Sequence, residues 1–397
     1  MLEFGRINYE NVAYFNFETN PKLNRTFEEN ISPDYLIPIL SHISGQTIVK
    51  EKTLIIFDEV QLCERALTSL KYFCEDAPDY HIIVAGNLLG VAVNRAKFSF
   101  PVGKVDMKTM YPMDMEEFMI AMGEEKLATQ VRQCFETNTA MPSALHDAAM
   151  QLYRQYLVVG GMPECVLQFA QTRDYILIRN TQDTILASYL NDMSKYNNLN
   201  EIKKTRLAYD NITVQLSKKN TRFQYKLIKK GGRASEFENA IEWLCLSGIV
   251  SQVYRIEQIK KPLENYRDID AFKIYVSDLG LLCAKKDLVA NDILYMAEEL
   301  NDFKGGMAEN YVNVQLSING YHTYYWESAR GAEIDFVIQR NEQLIPIEVK
   351  SADNTRAKSL KVYMETYDPE YAIKLSAKNF AFEDNKKTVP LYAAFCI

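Results

Sequence analysis

Two acidic residues directly follow a short apolar run near the start of the chain. The run is Leu54–Phe57, and the acids are Asp58 and Glu59. Such a run is typical of a parallel strand buried on both faces, so the acids should lie at its carboxyl end, where open α/β sheets bind ligands. In a nucleotide hydrolase the first acid orients Mg²⁺ and the second polarises the attacking water. A strand that simply ends in acids at the solvent is the alternative.

The next predicted strand, His81–Ala85, also leads to a polar residue. Asn87 follows it after one glycine. Neighbouring parallel strands place their carboxyl ends at one edge of a sheet, so Asn87 should lie near Asp58. An amide at that place could sense a bound γ-phosphate. We therefore interpret Asp58, Glu59 and Asn87 together as a candidate catalytic group.

A second group of acids lies near the C-terminus. Glu348 and Lys350 are two residues apart in the predicted strand LIPIEVK, and they therefore share one face of the sheet. Asp335 lies on the preceding strand, EIDFVIQ, and Glu309 lies on a predicted helix further upstream. Carboxylates are hard ligands for Mg²⁺, and Lys350 could stabilise a pentavalent phosphate or help to activate water.

The elements around these residues favour a particular module. A helix, three strands, a second helix and a fourth strand follow one another after residue 286. Together with the D…ExK pattern, this order is typical of a restriction-endonuclease-like core. Two alternatives stay open, namely a solvated edge strand with alternating charges and an inactive nuclease fold that is retained for binding.

The middle of the chain is strongly basic. Between Lys203 and Arg233 there are ten Lys and Arg residues but only one acid, Asp210. The surrounding order of helices followed by two strands outlines a winged helix, a fold that commonly binds DNA, and basic clusters favour contact with phosphates. The candidate contacts are Lys218, Lys219, Arg222, Lys229, Lys230 and Arg233. A solvated face and an interface between domains are the alternatives.

The helix after this basic stretch is poorly suited to sequence-specific contacts with nucleic-acid bases. Ser235 and Glu238 have the spacing of a capping box and predict a helix that begins at Ser235. Glu236, Glu238 and Glu242 would repel phosphates. Any binding of nucleic acid is therefore expected to be independent of sequence.

Composition excludes several classes of protein. The chain has 397 residues, of which 47% are hydrophobic and 24% are charged, so it should form several globular domains. No uncharged apolar run reaches the ~18 residues of a membrane-spanning helix, and no signal peptide is evident. The seven cysteines are scattered without a CxxC pair, which disfavours disulfides and zinc sites. We expect a cytoplasmic protein with no membrane partner.

Long stretches of the sequence resemble one family. They include TLIIFDEVQLCERALTSLKYF, YLVVGGMPECV, GGRASEFENAIEWLCLSGIV, FKIYVSDLGLL and YYWESARGAEIDFVIQ. In these the chain resembles AAA+-like ATPases of bacteria and archaea that carry a C-terminal domain of unknown function. The resemblance implies ATP and magnesium as cofactors, Asp58 and Glu59 as Walker B residues, Asn87 at sensor 1, and Gly160–Pro163 within a helical lid.

The sequence departs from this family at one motif. A phosphate loop of the form GxxxxGK[ST] is absent from the 397 residues. The loop supplies the amides, the lysine and the hydroxyl that hold phosphates and Mg²⁺, so ATP binding by this chain is expected to be weak. The first strand of the sheet is expected to be missing with it. A homo-oligomer or an N-terminal partner segment could then cover the unpaired strands.

These patterns predict a multidomain α/β protein. We expect a P-loop-type parallel sheet that lacks its first strand at 1–113, a helical lid at 114–196, a winged helix at 197–285 and an endonuclease-like module at 286–397. Three functions remain open. They are an ATPase that acts on nucleic acid, a magnesium-dependent DNA nuclease that uses the C-terminal D…ExK residues, and a non-catalytic scaffold that binds DNA or a partner.

Overall fold

A computed structural model describes residues 1–86, 103–195, 199–216, 222–351 and 358–397. The chain forms two units, Met1–Met110 and Tyr111–Ile397. The three segments predicted after residue 113 all lie in the second unit. No helix in these ranges is both long enough and apolar enough to cross a membrane.

The first unit is built on a parallel sheet. Its strands are β1 (Asn11–Asn16), β2 (Thr53–Asp58) and β3 (His81–Val84), and β2 lies between the other two. The strand predicted from the apolar run is β2, and its residues 53–57 are all buried. The helices of this unit are α1 (Leu2–Asn8), α2 (Lys22–Glu29), α3 (Pro33–Ser44) and α4 (Glu64–Asp76).

Aromatic rings from separate elements form the core beneath this sheet. The Phe57 ring of β2 lies 5.8 Å from that of Phe17 and 5.6 Å from that of Phe27, both edge to face. Such pairs add to the stabilisation from buried area, and they fix the carboxyl end of β2 from below. The strand that carries Asp58 is therefore packed against this aromatic core.

The first half of the second unit is helical. The helices are α5 (Met115–Ala121), α6 (Glu125–Thr137), α7 (Ser143–Val159), α8 (Pro163–Thr172), α9 (Tyr175–Lys195), α10 (Leu199–Leu216), α11 (Tyr225–Ile228) and α12 (Ala234–Leu246). Helix α5 begins at a capping box in which the side chains of Asp114 and Glu117 bond each other's backbone amides.

The capping box predicted at Ser235 and Glu238 is wrong. Helix α12 begins one residue earlier, at Ala234, and its N-cap is Arg233, which makes no capping side-chain hydrogen bond. Glu236 instead forms an ion pair with Lys229 at 3.1 Å. The buried residues of α12 include Phe237, Ile241 and Leu244.

An eight-stranded mixed sheet forms the second half of this unit. Its strands are β4 (Val250–Ile256), β5 (Arg267–Val276), β6 (Tyr324–Glu327), β7 (Glu333–Arg340), β8 (Gln343–Val349), β9 (Ala372–Ser376), β10 (Ala381–Glu383) and β11 (Lys386–Pro390). The spatial order is β10-β11-β9-β8-β7-β6-β4-β5. The antiparallel pair β4 and β5, which the sequence placed beside the basic stretch, therefore belongs to the same sheet as the D…ExK strands.

The helices that accompany this sheet are α13 (Leu279–Lys285), α14 (Ala290–Leu294), α15 (Asn301–Ile318) and α16 (Lys358–Tyr367). Helix α15 is buried along most of its length and packs against β5 and β8. Its Asn310 side chain bonds both the amide and the carbonyl of Val276 at 2.7 Å. These two hydrogen bonds attach α15 to the end of β5 and so position Glu309, the residue before Asn310.

Candidate functional site

The acidic pair of the first unit lies where the sequence predicts it, at the carboxyl end of β2. The Asp58 carboxylate accepts hydrogen bonds from protein groups at both oxygens. Tyr14 Oη donates to Oδ2 at 2.5 Å, and the Glu59 amide donates to Oδ1 at 3.0 Å. Gln61 donates to Glu59 Oε2 at 2.5 Å. The acids therefore have local partners from the protein itself.

The backbone at Glu59 is unusual. Its φ is 54° and its ψ is 37°, which lies in the left-handed region that non-glycine residues seldom adopt. The Val60 amide donates to the carbonyl of Ala85, and the Ala85 amide donates to that of Phe57, so the turn is held by the end of β3. Residues in this conformation are frequent at functional sites. Asn87, the third member of the predicted group, lies outside the described residues.

The predicted DNA contacts are exposed where the structure describes them. Arg222, Lys229, Lys230 and Arg233 all have exposed side chains. Arg222 donates to the carbonyl of Asp270 at 3.2 Å, and Lys229 pairs with Glu236. Lys218 and Lys219 lie outside the described residues.

Strands β7 and β8 bring the three D…ExK residues into one neighbourhood. Phe336 of β7 is opposite Ile347 of β8, which places Asp335 beside the end of β8. Asp335 Oδ2 accepts a hydrogen bond from the Val349 amide at 2.7 Å. The Lys350 ammonium lies 2.9 Å from Glu348 Oε1.

Glu348 has one oxygen without a partner. Its side chain is only 3% exposed, and its Oε2 accepts no hydrogen bond. A buried carboxylate oxygen that has lost its water without gaining a donor costs free energy. This oxygen therefore lacks a protein partner, in the neighbourhood of Asp335 and Lys350.

The surroundings of Asp335 favour its protonated form. Burial and then the charge of Glu309 raise the pKa of Asp335, Lys273 and Lys350 oppose them, and the resulting pKa is about 7. Burial works against the charge of Lys350, but the carboxylates of Asp335, Glu348 and Glu309 outweigh burial and raise the pKa of Lys350. The protonation of each acid and amine at this site therefore depends on the charges of its neighbours.

Glu309, the helical acid of the prediction, is held by strand β5. Its Oε2 accepts a hydrogen bond from Tyr275 Oη at 2.9 Å and lies 3.4 Å from Lys273 Nζ. The same ammonium lies 2.5 Å from Glu333 Oε1. Lys273 is 2% exposed, so a buried cation joins acids from α15 and β7.

In the ranges that the structure describes, no three His, Cys, Asp or Glu side chains are grouped in a way that could hold a metal ion by themselves. The predicted metal ligands Asp58, Glu309, Asp335 and Glu348 therefore do not form a complete cage. Mg²⁺, however, usually keeps several waters and binds through one or two carboxylates plus substrate phosphates. Asp335 and the open oxygen of Glu348 fit such a partial set of ligands.

Three family models match the chain. Residues 1–119 match an AAA domain, residues 150–292 match Domain of unknown function (DUF8612), and residues 304–394 match Domain of unknown function (DUF4143). The chain resembles an AAA-like ATPase with domains of unknown function. The resemblance stated from the sequence is confirmed.

One solved structure is similar to this chain. It is the Walker-type ATPase PABY2304 of Pyrococcus abyssi, with 11% identity and a TM-score of 0.39 over 70% of this chain and 84% of its own. The curated proteins include no match.

Sequence reasoning missed Lys273 and Tyr275. Both lie in the segment AFKIYVSD, which the sequence assigned to the hairpin of a winged helix. A signal was nevertheless present, because a lysine in the middle of an otherwise apolar strand must find a carboxylate if it is buried. Its partners, Glu309 and Glu333, are distant in the sequence, and the fold alone brings them together.

Proposed function

We propose that this chain is an AAA-like ATPase-family protein that acts on nucleic acid, and that its second unit hydrolyses phosphodiester bonds with the help of a divalent cation. The observation that carries the proposal is Glu348 Oε2, a buried carboxylate oxygen without a protein partner. Asp335 and Lys350 lie beside it in the order of a D…ExK motif.

The donor set suits a hard cation. Both available ligands are carboxylates, and the described residues add no histidine or cysteine to the site. A bound cation would supply Lewis-acid polarisation of the scissile phosphate and a lowered pKa for an attacking water. Asp335 and Glu348 would hold it.

The chain's own groups have separate tasks in this reaction. Asp335 gives up its proton before it can act as a ligand, because its pKa lies near neutrality in the free protein. Lys350 is charged, and its Nζ can stabilise negative charge on the phosphate as water attacks phosphorus and a backbone P–O bond breaks. Lys273 keeps Glu309 in place and lowers the local excess of negative charge.

The proposed nucleic-acid contact lies in the basic stretch of the predicted winged-helix segment. Arg222, Lys229, Lys230 and Arg233 expose their charges on one stretch of chain, which favours contact with the phosphate backbone. Glu236 pairs with Lys229 and makes α12 unsuitable for reading bases. Binding should therefore be independent of sequence. Replacing Lys229 and Lys230 by Gln should reduce the slope of log K against log salt by about 2, whereas Lys126→Gln with Lys361→Gln should leave it unchanged.

For the first unit we propose weak binding of ATP. Both oxygens of Asp58 already accept hydrogen bonds from the protein, and Gln61 bonds Glu59. A nucleotide-bound Mg²⁺ would have to compete with Tyr14 for Asp58. Calorimetric titration of the chain with Mg·ATP should give no binding in the micromolar range, and micromolar affinity would contradict this part of the proposal.

A plasmid-nicking assay tests the hydrolytic function. The full chain should nick supercoiled DNA with Mg²⁺ or Mn²⁺ and should lose nicking in EDTA. Glu348→Gln removes one negative oxygen from the site at constant volume and should slow nicking at least about 100-fold, because a metal ligand is worth several kcal/mol in the transition state.

Glu342→Gln is the matched control, because Glu342 is exposed at the turn between β7 and β8. It should nick as the unmodified chain does. Absence of nicking by the folded, DNA-binding chain with either cation would reject the nuclease and leave the non-catalytic scaffold. Nicking that is equally fast in Glu348→Gln would place the reaction elsewhere.

A further inference from the structure

A cavity in the second unit is lined by residues that are distant in the sequence. Its walls include Arg154 of α7, Lys304 of α15 and Ser351, the residue after Lys350. Its volume is about 50 Å³, and it is partly open to solvent. The rest of the wall is largely apolar and includes Met150, Tyr153 and Met307. The cavity thus combines an apolar surface with cationic groups.

Arg154 is the feature of this cavity that needs an explanation. In the described part of the chain no carboxylate pairs with its guanidinium, and its buried Nε–H has no acceptor. Partly buried arginines are ordinarily paired, because desolvating a charge without a partner is unfavourable. None of the residues that line the cavity is acidic. Arg154 is therefore a preformed donor without an acceptor.

Lys304 adds a second positive charge, and it is held in position. Its Nζ donates to the carbonyl of Met296 at 2.7 Å and to Asn301 Oδ1 at 2.9 Å. An ammonium has three N–H groups, so one remains for a ligand. The Met296 carbonyl and the Asn301 amide are both neutral, so neither compensates the positive charge of Lys304.

We infer that this cavity binds a phosphate monoester carried on an apolar group, as in a mononucleotide or at a phosphorylated end of a nucleic-acid strand. Arg154 and Lys304 would receive the phosphate with charge-assisted hydrogen bonds, and the Ser351 hydroxyl could donate a further one. Met150, Tyr153 and Met307 provide the apolar surface for the carrier. Binding of the free phosphate or mononucleotide does not rest on the proposed nuclease reaction. A role of the cavity in holding the ends of nucleic-acid strands, by contrast, rests on the proposed nuclease function.

Calorimetry and thermal melting of the full chain test the inference. The probes are inorganic phosphate, AMP and adenosine. Phosphate and AMP should raise Tm, and adenosine, which lacks the anion, should not. Arg154→Gln should weaken AMP binding by about tenfold or more, because it removes a charge-assisted donor. Lys304→Gln should have a smaller effect in the same direction.

Two matched controls separate the cavity from general charge. Arg330→Gln and Lys126→Gln make the same chemical changes at exposed positions that do not line the cavity, and both should bind AMP as the unmodified chain does. Arg154→Gln should also leave the ligand-free Tm unchanged or higher, because it removes an unpaired, desolvated charge. Loss of AMP binding is then not a consequence of misfolding.

Short oligonucleotides distinguish the two sources of the phosphate. Tighter binding of a 5′-phosphorylated strand than of the same strand with a 5′-hydroxyl identifies strand ends, whereas equal binding identifies the free mononucleotide. Glu348→Gln should bind AMP normally, so a failure of nicking and a failure of this cavity can be told apart. Equal affinity of adenosine and AMP, or unchanged AMP affinity in Arg154→Gln, would overturn the inference.

Discussion

The two units each end a buried strand in acidic residues, yet the acids have different surroundings. At the end of β2 the Asp58 carboxylate accepts hydrogen bonds from Tyr14 and from the backbone amide of Glu59. At the end of β8 the Glu348 side chain is buried with one oxygen unpaired, although Lys350 is 2.9 Å from the other. The same pattern in the sequence therefore gives one carboxylate with hydrogen-bond partners at both oxygens and one with a partner at a single oxygen.

The difference originates in what packs across each strand end. Tyr14 lies on β1, the neighbour of β2, and its hydroxyl reaches Asp58 without any further element. At the second site α15 covers the sheet and brings Glu309, which needs the buried Lys273 as its own partner. Because burial there is not matched by complete pairing, we expect the second site to respond to cations and to pH. The first site should respond weakly to cations.

The largest effect should follow removal of the buried cation. Lys273→Met leaves the largely buried Glu309 without its cation, and an uncompensated buried acid should lower the free energy of unfolding by about 3–5 kcal/mol. Lys361→Met is the control, because the ion pair of Lys361 with Glu365 is exposed and should be worth less than about 1 kcal/mol. Denaturant melts measure both variants. Equal losses would show that the Lys273 cluster contributes no more than a surface pair.

A smaller effect, with a defined sign, should follow from Asp335. Its pKa of about 7 is above the ordinary 3.8, so the folded chain keeps a proton that the unfolded chain releases. The stabilisation from protonated Asp335 is complete below pH 4 and is lost as the pH rises through 7. Asp335→Asn has no carboxyl group at this position, so its stability does not depend on pH through this residue.

In the absence of metal, therefore, the stability of Asp335→Asn relative to the unmodified chain should increase between pH 5 and pH 8, on the order of 2 kcal/mol. Melts in EDTA at several pH values give this difference. A difference that does not change with pH would mean that Asp335 is already ionised at pH 5 and that its surroundings do not favour the proton.

The smallest effect should come from the first unit. Tyr14→Phe removes the hydroxyl that donates to Asp58 and should lower the stability of this unit by about 0.5–1.5 kcal/mol. Tyr72→Phe, in the same unit, removes a hydroxyl with no hydrogen bond in the described residues and should be near neutral. Hydrogen exchange at β2 reports on both. A loss for Tyr14→Phe above that for Lys273→Met would reverse the contrast between the two sites.

The sequence predicted those features that depend on neighbours along the chain. The run before Asp58 indicated a buried strand, and the spacing of Glu348 and Lys350 indicated one face of another strand, because side chains alternate in a strand. Both strands are present. The resemblance to AAA-like ATPases also followed from local motifs.

Features that depend on distant contacts were not predicted. Lys273 and Glu309 are 36 residues apart, and their pairing requires that β5 and α15 pack together. The short hairpin of β10 and β11 was missed too, although its turn at Asp384 and Asn385 uses residue types that tolerate a positive φ. The helix start expected at Ser235 was wrong by one residue, and no side chain caps the helix, which begins at Ala234.

Calorimetric titration of the full chain with Mg²⁺ or Mn²⁺ tests the central claim most directly, since the claim is that the unpaired oxygen of Glu348 belongs to a cation site. We predict saturable binding that strengthens as the pH rises through 7 and Asp335 ionises, that is lost in Glu348→Gln, and that is unchanged in the exposed control Glu342→Gln. Binding that is the same in both variants, or no binding by the folded chain at pH 8, would contradict the account.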